Sequence, residues 1–193
     1  MNISVIHKRM AALFTLIVIV LLALTGCSAN PVLSYLEEIE EKGIIPAYEV
    51  LEADSEILLE EIGRLVEAEA TDSTIEEFNE LKAMVNEFIV KQDELIAITE
   101  GLDTSDEVVK DANSYLVESI SKQRSAISLM NVMIDNLIEL NEMIINPDLE
   151  TLEEDLNRIN SSTLETEETF FRLIAESEEA LNRWDIIIEE NLD

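Results

Sequence analysis

From residue 31 onward, apolar residues recur every three or four positions and hardly ever every second one. That spacing is the signature of helices that bury one face. The first helix is predicted from about Pro31 to Ala70. Asn30 can cap it, and Pro31 suits the first helical position, where no backbone N–H is needed. Leu33, Leu36 and Ile39 open its stripe, and Val50, Leu51, Ile57, Leu58, Ile62, Leu65 and Val66 continue it. Gly43 and Pro46 interrupt. Pro46 cannot donate to residue 42 and crowds that carbonyl, so a kink or break is expected at 42–46, with one kinked helix favoured over two.

Thr71-Asp72-Ser73 reads as a turn, and Ser73 with Glu76 as a capping box. The second helix then runs to about Thr99, with Ile75, Phe78, Leu81, Val85, Phe88 and Leu95 on one face and Met84, Ile89 and Ile96 beside them. Gly101 stops it. Ser105 is the expected cap of a third helix over about 106–145, where Asp106 and Glu107 favour the positive end. Val109, Ala112, Leu116 and Ile120 line its first half. Ile127, Met130, Ile134, Leu137, Asn141 and Ile144 then follow a heptad seam. Asn146-Pro147 ends the pattern. Asp148 or Thr151 starts a fourth helix to about Asn191, whose heptad positions are Leu149, Leu152, Leu156, Ile159, Thr163, Thr166, Phe170, Leu173, Ser177, Ala180, Trp184 and Ile187. Helices this long reach roughly 60 Å, and short connections force neighbours to run antiparallel. The expected fold is therefore all-α: an elongated antiparallel, up-down-up-down bundle of about four long helices. A helical hairpin that completes its core by dimerising is the alternative.

The first 26 residues differ from all of this. His7, Lys8 and Arg9 form a short basic start, and Ala11 to Leu24 is apolar except for Thr15. That run has the length of a signal-peptide core and is short for a membrane span. It closes on Leu24-Thr25-Gly26-Cys27. This tetrad resembles the lipobox of bacterial lipoproteins, Leu-(Ala/Ser/Thr)-(Gly/Ala)-Cys, at every position. The resemblance implies diacylglycerol on the Cys27 thiol and cleavage after Gly26, with N-acylation of the new amino terminus an open question. It divides the chain into a cleaved signal peptide (1–26), a lipidated tether (27–30) and a single acidic helical domain (31–193). An uncleaved anchor helix is the competing reading. Two acyl chains, at about 0.8 kcal/mol per buried CH2, hold a protein durably where one does so only marginally. The implied location is the extracytoplasmic face of a cell membrane. Composition leans towards a Gram-positive source, and Ser28 carries no inner-membrane retention signal in a diderm one. In segment order alone, the rest of the chain looks like small all-helical bacterial lipoproteins of unknown function.

Composition narrows the chemistry. The chain of 193 residues has 43 acidic and 12 basic side chains, for a net charge of −31, and loss of Lys8 and Arg9 with the leader makes it −33. Such a surface repels nucleic acid and anionic headgroups. It suits an acidic solvated face, and it could also gather weak divalent cations or a basic protein partner. The one histidine, His7, and the one cysteine, Cys27, both belong to the leader or its cleavage site. No His/Cys zinc site, Glu-x-x-His di-iron pair, His-ligated haem or His-based nucleophilic system can be built from residues 28–193. Asp103-Thr104-Ser105-Asp106-Glu107 lacks the glycine of an EF-hand loop. No cofactor is implied.

The internal oddity is a set of polar residues in register with the apolar seams: Ser119, Gln123 and Asn141 on the third helix, and Thr163, Thr166 and Ser177 on the fourth. Register control is the plain explanation, and a small polar cavity in mid-bundle the functional one. Phe170, Phe171 and Trp184 read as core rather than a ligand cage. The expectation is a non-enzymatic, lipid-anchored envelope protein that binds another protein or acts as a spacer. A ligand- or cation-binding receptor module is the alternative.

Overall fold

The computed structural model describes residues 30–102, 104–148 and 150–192. The leader, the lipobox Leu24-Thr25-Gly26-Cys27, Asp103 and Leu149 lie outside the described residues. The described chain is an elongated, all-helical bundle of five helices: α1 (Pro31–Glu41), α2 (Ile44–Val66), α3 (Asp72–Glu100), α4 (Glu107–Ile145) and α5 (Leu152–Glu190). At 1.5 Å per residue, α4 and α5 are each about 58 Å long.

The single first helix expected over 31–70 is in fact two. Gly43 sits in the left-handed region at φ 66°, and its N–H closes a turn onto Glu40 O. Only glycine adopts that conformation without steric cost, so the break falls there and not at the proline. Pro46 instead lies in the first turn of α2, where its missing N–H leaves no bond unmade. The break also resets the phase of the buried stripe. Tyr48, Leu51, Leu58, Ile62 and Leu65 are buried, whereas Val50, Ile57 and Val66, assigned to the same face from spacing, are more than half exposed. On α1, Val32 and Tyr35 join Leu36 and Ile39 inside.

Helix caps fall within two residues of their expected places. Asn30 caps α1 through Oδ1, which accepts from Val32 N at 2.9 Å. Thr71, and not Ser73, caps α3: its Oγ1 accepts from Thr74 N, and the Thr74 hydroxyl donates to Glu69 O. Asp106, one residue beyond Ser105, caps α4 by accepting from both Val108 N and Val109 N. Gly101 ends α3 with its N–H bonded to Ala97 O and Ile98 O, and at φ −83° it needs no special glycine backbone.

α4 is the central helix. It packs most extensively on α5, then on α3, and also meets α1 and α2. Going up α4, Tyr115, Ser119, Lys122, Asn136 and Glu139 meet Arg183, Ser177, Glu176, Thr163 and Arg158, so contacts ascend one helix as they descend the other. Phe78, Val85, Ala112, Ile120, Met130, Ile134 and Trp184 are among the fully buried side chains of one continuous core. The α5 stripe drifts out of strict heptad register at its ends: Leu156 is exposed, and Ile188 is buried more deeply than Ile187. Phe171 is 61% exposed and meets buried Phe170 in a T-shaped arrangement with ring centroids 5.6 Å apart, so it is not a core residue. The ends of the body lie together, with Asn30 Nδ2 donating to Asn191 O at 3.0 Å.

A Cβ on Gly43 would meet no atom within 4 Å, so its substitution tests the dihedral alone. Gly43→Ala is expected to cost about 1–2 kcal/mol in denaturant unfolding, while Pro46→Ala changes stability by less than about 0.5 kcal/mol. Equal effects at the two positions would contradict the assignment of the break.

Candidate functional site: a column of buried polar layers

The core is crossed by polar layers, each built by side chains from different helices. Nearest the chain ends, Tyr35 on α1 is the hub. Its hydroxyl donates to Asn113 Oδ1 at 3.1 Å and accepts from Trp184 Nε1 at 3.3 Å. Asn113 Nδ2 in turn donates to Thr99 O, and the Thr99 hydroxyl donates to Leu95 O. One continuous network thereby joins α1, α3, α4 and α5, and Trp184 and Tyr35 at its centre are almost completely buried.

About two turns along, Tyr48 on α2 approaches Ser119 Oγ at 3.5 Å, and Ser119 meets Ser177 Oγ at 3.0 Å. Glu52, one turn beyond Tyr48, is also buried. Next, Gln92 Nε2 on α3 donates to Gln123 Oε1 on α4 at 3.3 Å. Gln92 is fully enclosed, yet its own carbonyl oxygen has no hydrogen-bond partner among the described residues. Further along, Asn136 Nδ2 bonds the hydroxyls of Ser162 and Thr163.

The residues singled out from sequence thus fall into different layers and do not line one cavity. Ser177 belongs to the Tyr48 layer, Gln123 to the Gln92 layer and Thr163 to the Asn136 layer. Thr166 is buried on α5. Asn141 donates to Leu137 O of its own helix. Sequence reasoning missed Tyr35, Tyr48, Gln92, Thr99, Asn113 and Asn136. The signal was present for two of them: Gln92 and Thr99 continue the α3 stripe of Phe88 and Leu95 at spacings of three and four.

Burial holds both tyrosines well above the ordinary phenol value. At Tyr35 desolvation outweighs the hydrogen bond from Trp184, and the Glu38 charge adds to it. At Tyr48 desolvation outweighs the Ser119 bond, with Glu52 adding. These phenols are structural hydrogen-bonding groups at neutral pH. Among the described residues no group of three or more His, Cys, Asp or Glu side chains could hold a metal ion, and no helix is long and apolar enough to cross a membrane. What the column can do is fix axial register: sliding any helix by one turn would strand several buried polar groups at about 1–3 kcal/mol each.

No protein-family model, curated protein or solved structure matches this chain.

Because the folded state binds the Tyr35 and Tyr48 protons more tightly than the unfolded one, their contribution is complete below about pH 10 and is lost as pH rises beyond it. Two of the three tyrosines are therefore expected to ionise only as the helical circular dichroism disappears. Tyrosinate absorbance rising fully ahead of that loss would contradict their burial. At the glutamine layer, Gln123→Met removes the acceptor of the Gln92 amide and should destabilise by about 1–3 kcal/mol, whereas Gln92→Met with Gln123→Met should recover most of that loss or exceed the parent. Thermal unfolding of the two variants checks this.

Proposed function

We propose that this chain is a lipid-anchored extracytoplasmic envelope protein, not an enzyme, whose acidic helical body works by binding another protein or by spacing. In this reading the body is an antiparallel, up-down-up-down bundle in which α1 and α2 together form the first segment. The carrying observation is Leu24-Thr25-Gly26-Cys27 behind a basic start and a fourteen-residue apolar run. The structure adds compatible geometry. Helix α1 begins at Pro31, four residues after Cys27, so a lipid there would hold the body with almost no linker. The contact between Asn30 and Asn191 puts both ends of the body on the side where such an anchor would attach.

The surface supports a binding or spacing role more than a catalytic one. Ten cations lie beyond the leader, and nine of them pair with carboxylates of the described residues, leaving an excess of carboxylates over the exterior. A second reading, a ligand-binding receptor module, is favoured by one observation, the unpartnered and enclosed Gln92 carbonyl. Thermal unfolding with calcium, magnesium and small polar metabolites distinguishes the two. A saturable shift beyond the effect of matched ionic strength favours the receptor, and its absence sinks that reading.

Wild-type protein expressed in a bacterium is expected to fractionate with membranes and to carry the mass of a chain starting at a diacylglyceryl Cys27. Cys27→Ala should retain residues 1–26 and lose the lipid mass. A variant with the same processed mass and membrane association as the parent would refute the anchor.

A further inference from the structure

At the end of the bundle away from Asn30 and Asn191, the start of α3, the last turns of α4 and the first turn of α5 surround a cleft of about 750 Å³. Ile75, Met143 and Ile145 contribute its apolar wall, and each is only partly covered by the protein. Carboxylates stand around it. Asp155 and Glu139 are tied to Arg158, whereas Asp72, Glu76 and Glu142 are exposed and make no ion pair among the described residues.

These acids have different structural standing. Asp72 lies in the first turn of α3, where a negative charge complements the helix dipole. Glu142 lies near the negative end of α4, whose last turn holds no basic residue. There its charge opposes the dipole and the neighbouring carboxylates, so the fold does not account for it. The carboxylates do not converge on a point that could take a metal ion. They are spread around an apolar wall, an arrangement that matches an extended ligand carrying several cations and an apolar group. A second copy of this chain, at −33 after loss of the leader, is the wrong charge to fill it.

We propose that this cleft is the docking site for a basic segment of a partner protein, one that seats an apolar side chain on Ile75, Met143 and Ile145 and places Lys or Arg against Glu76 and Glu142. The proposal rests on the partner-binding reading above and gives it a place and a chemistry. The volume is that of a pocket able to take a few side chains. Binding would remove the apolar wall from water and neutralise the charge that opposes the α4 terminus.

The test uses the full chain in detergent and two labelled peptides, Lys-Leu-Lys-Leu-Lys and Lys-Ser-Lys-Ser-Lys, followed by fluorescence anisotropy at physiological salt. The Leu peptide is expected to bind saturably and more tightly than the Ser peptide. Glu76→Gln with Glu142→Gln should weaken it about tenfold, and a control of equal charge change, Glu94→Gln with Glu118→Gln on other faces, by no more than about twofold. Equal weakening by the two pairs would overturn the cleft while leaving a basic partner in place. Equal binding of the two peptides would overturn the apolar wall. An absence of saturable binding would overturn the basic partner altogether, and the lipid anchor would still be judged separately by the mass of the Cys27→Ala variant.

Discussion

The fold has to be held together against its own charge, and the placement of its few cations follows from that. Lys91 pairs with Asp54 and Arg64 with Glu77 between α2 and α3, Lys82 with Asp135 and Arg124 with Asp93 between α3 and α4, and Lys122 with Glu176 and Arg158 with Glu139 between α4 and α5. Six of the ten cations thus sit across a seam between consecutive helices. Exposed pairs of this kind are worth about 0–1 kcal/mol each, too little to hold the bundle. Their larger effect is to interrupt carboxylate rows where two helices come closest and like charges would otherwise face each other. Cohesion comes from the apolar core, and the cations reduce the like-charge repulsion along the seams around it.

An apolar seam alone leaves axial position loosely specified, because Leu, Ile and Val are nearly interchangeable one turn along. The polar layers remove that freedom. The Tyr35 hub matters most because α1 has only eleven residues. A helix of that length is marginal in water, and α1 is held by the burial of Val32, Tyr35, Leu36 and Ile39 together with the hydrogen bond that Tyr35 donates to Asn113 and the one it accepts from Trp184. The same hub fixes the end of α5. Loss of the hub would therefore loosen α1 and the last turns of α5 together, while the central α3–α4 contact, with its own glutamine layer, stayed in place.

The all-helical class and the extents of α3, α4 and α5 were legible because each of these helices carries a buried stripe and a recognisable end, whereas the split of the first segment into α1 and α2 was not. Nor was the phase of that segment. A left-handed residue at Gly43 turns the chain by an amount that spacing cannot supply, so spacing alone puts Val50 and Ile57 inside where the fold buries Tyr48. Polar residues on the seam were legible on one helix at a time: Ser119, Gln123 and Ser177 stood out, but the pairing of Ser119 with Ser177 and of Gln123 with Gln92 depends on register between helices. The distal cleft was invisible for a stronger reason. It is made by three helix ends that are neighbours only after folding, and its apolar wall joins Ile75, which spacing places on a buried face, to Met143 and Ile145, which fall outside the heptad seam of their helix.

On the anchored reading, the two ends of this body face different electrostatic surroundings. Residues 28–30 span at most about 10 Å when extended, comparable to the Debye length of about 8 Å at physiological salt. The near end, with Asn30 and Asn191, would stay within reach of anionic headgroups and be repelled by them, which favours a bundle standing off the surface over one lying along it. The far end, about 58 Å away along α4 and α5, would lie well beyond that field. A basic partner drawn to the membrane by its own charge would be competed for by the headgroups near the surface, but not at the distal cleft. An elongated acidic body on a short tether would thus move a charge-selective surface to where the membrane no longer competes for the same ligand.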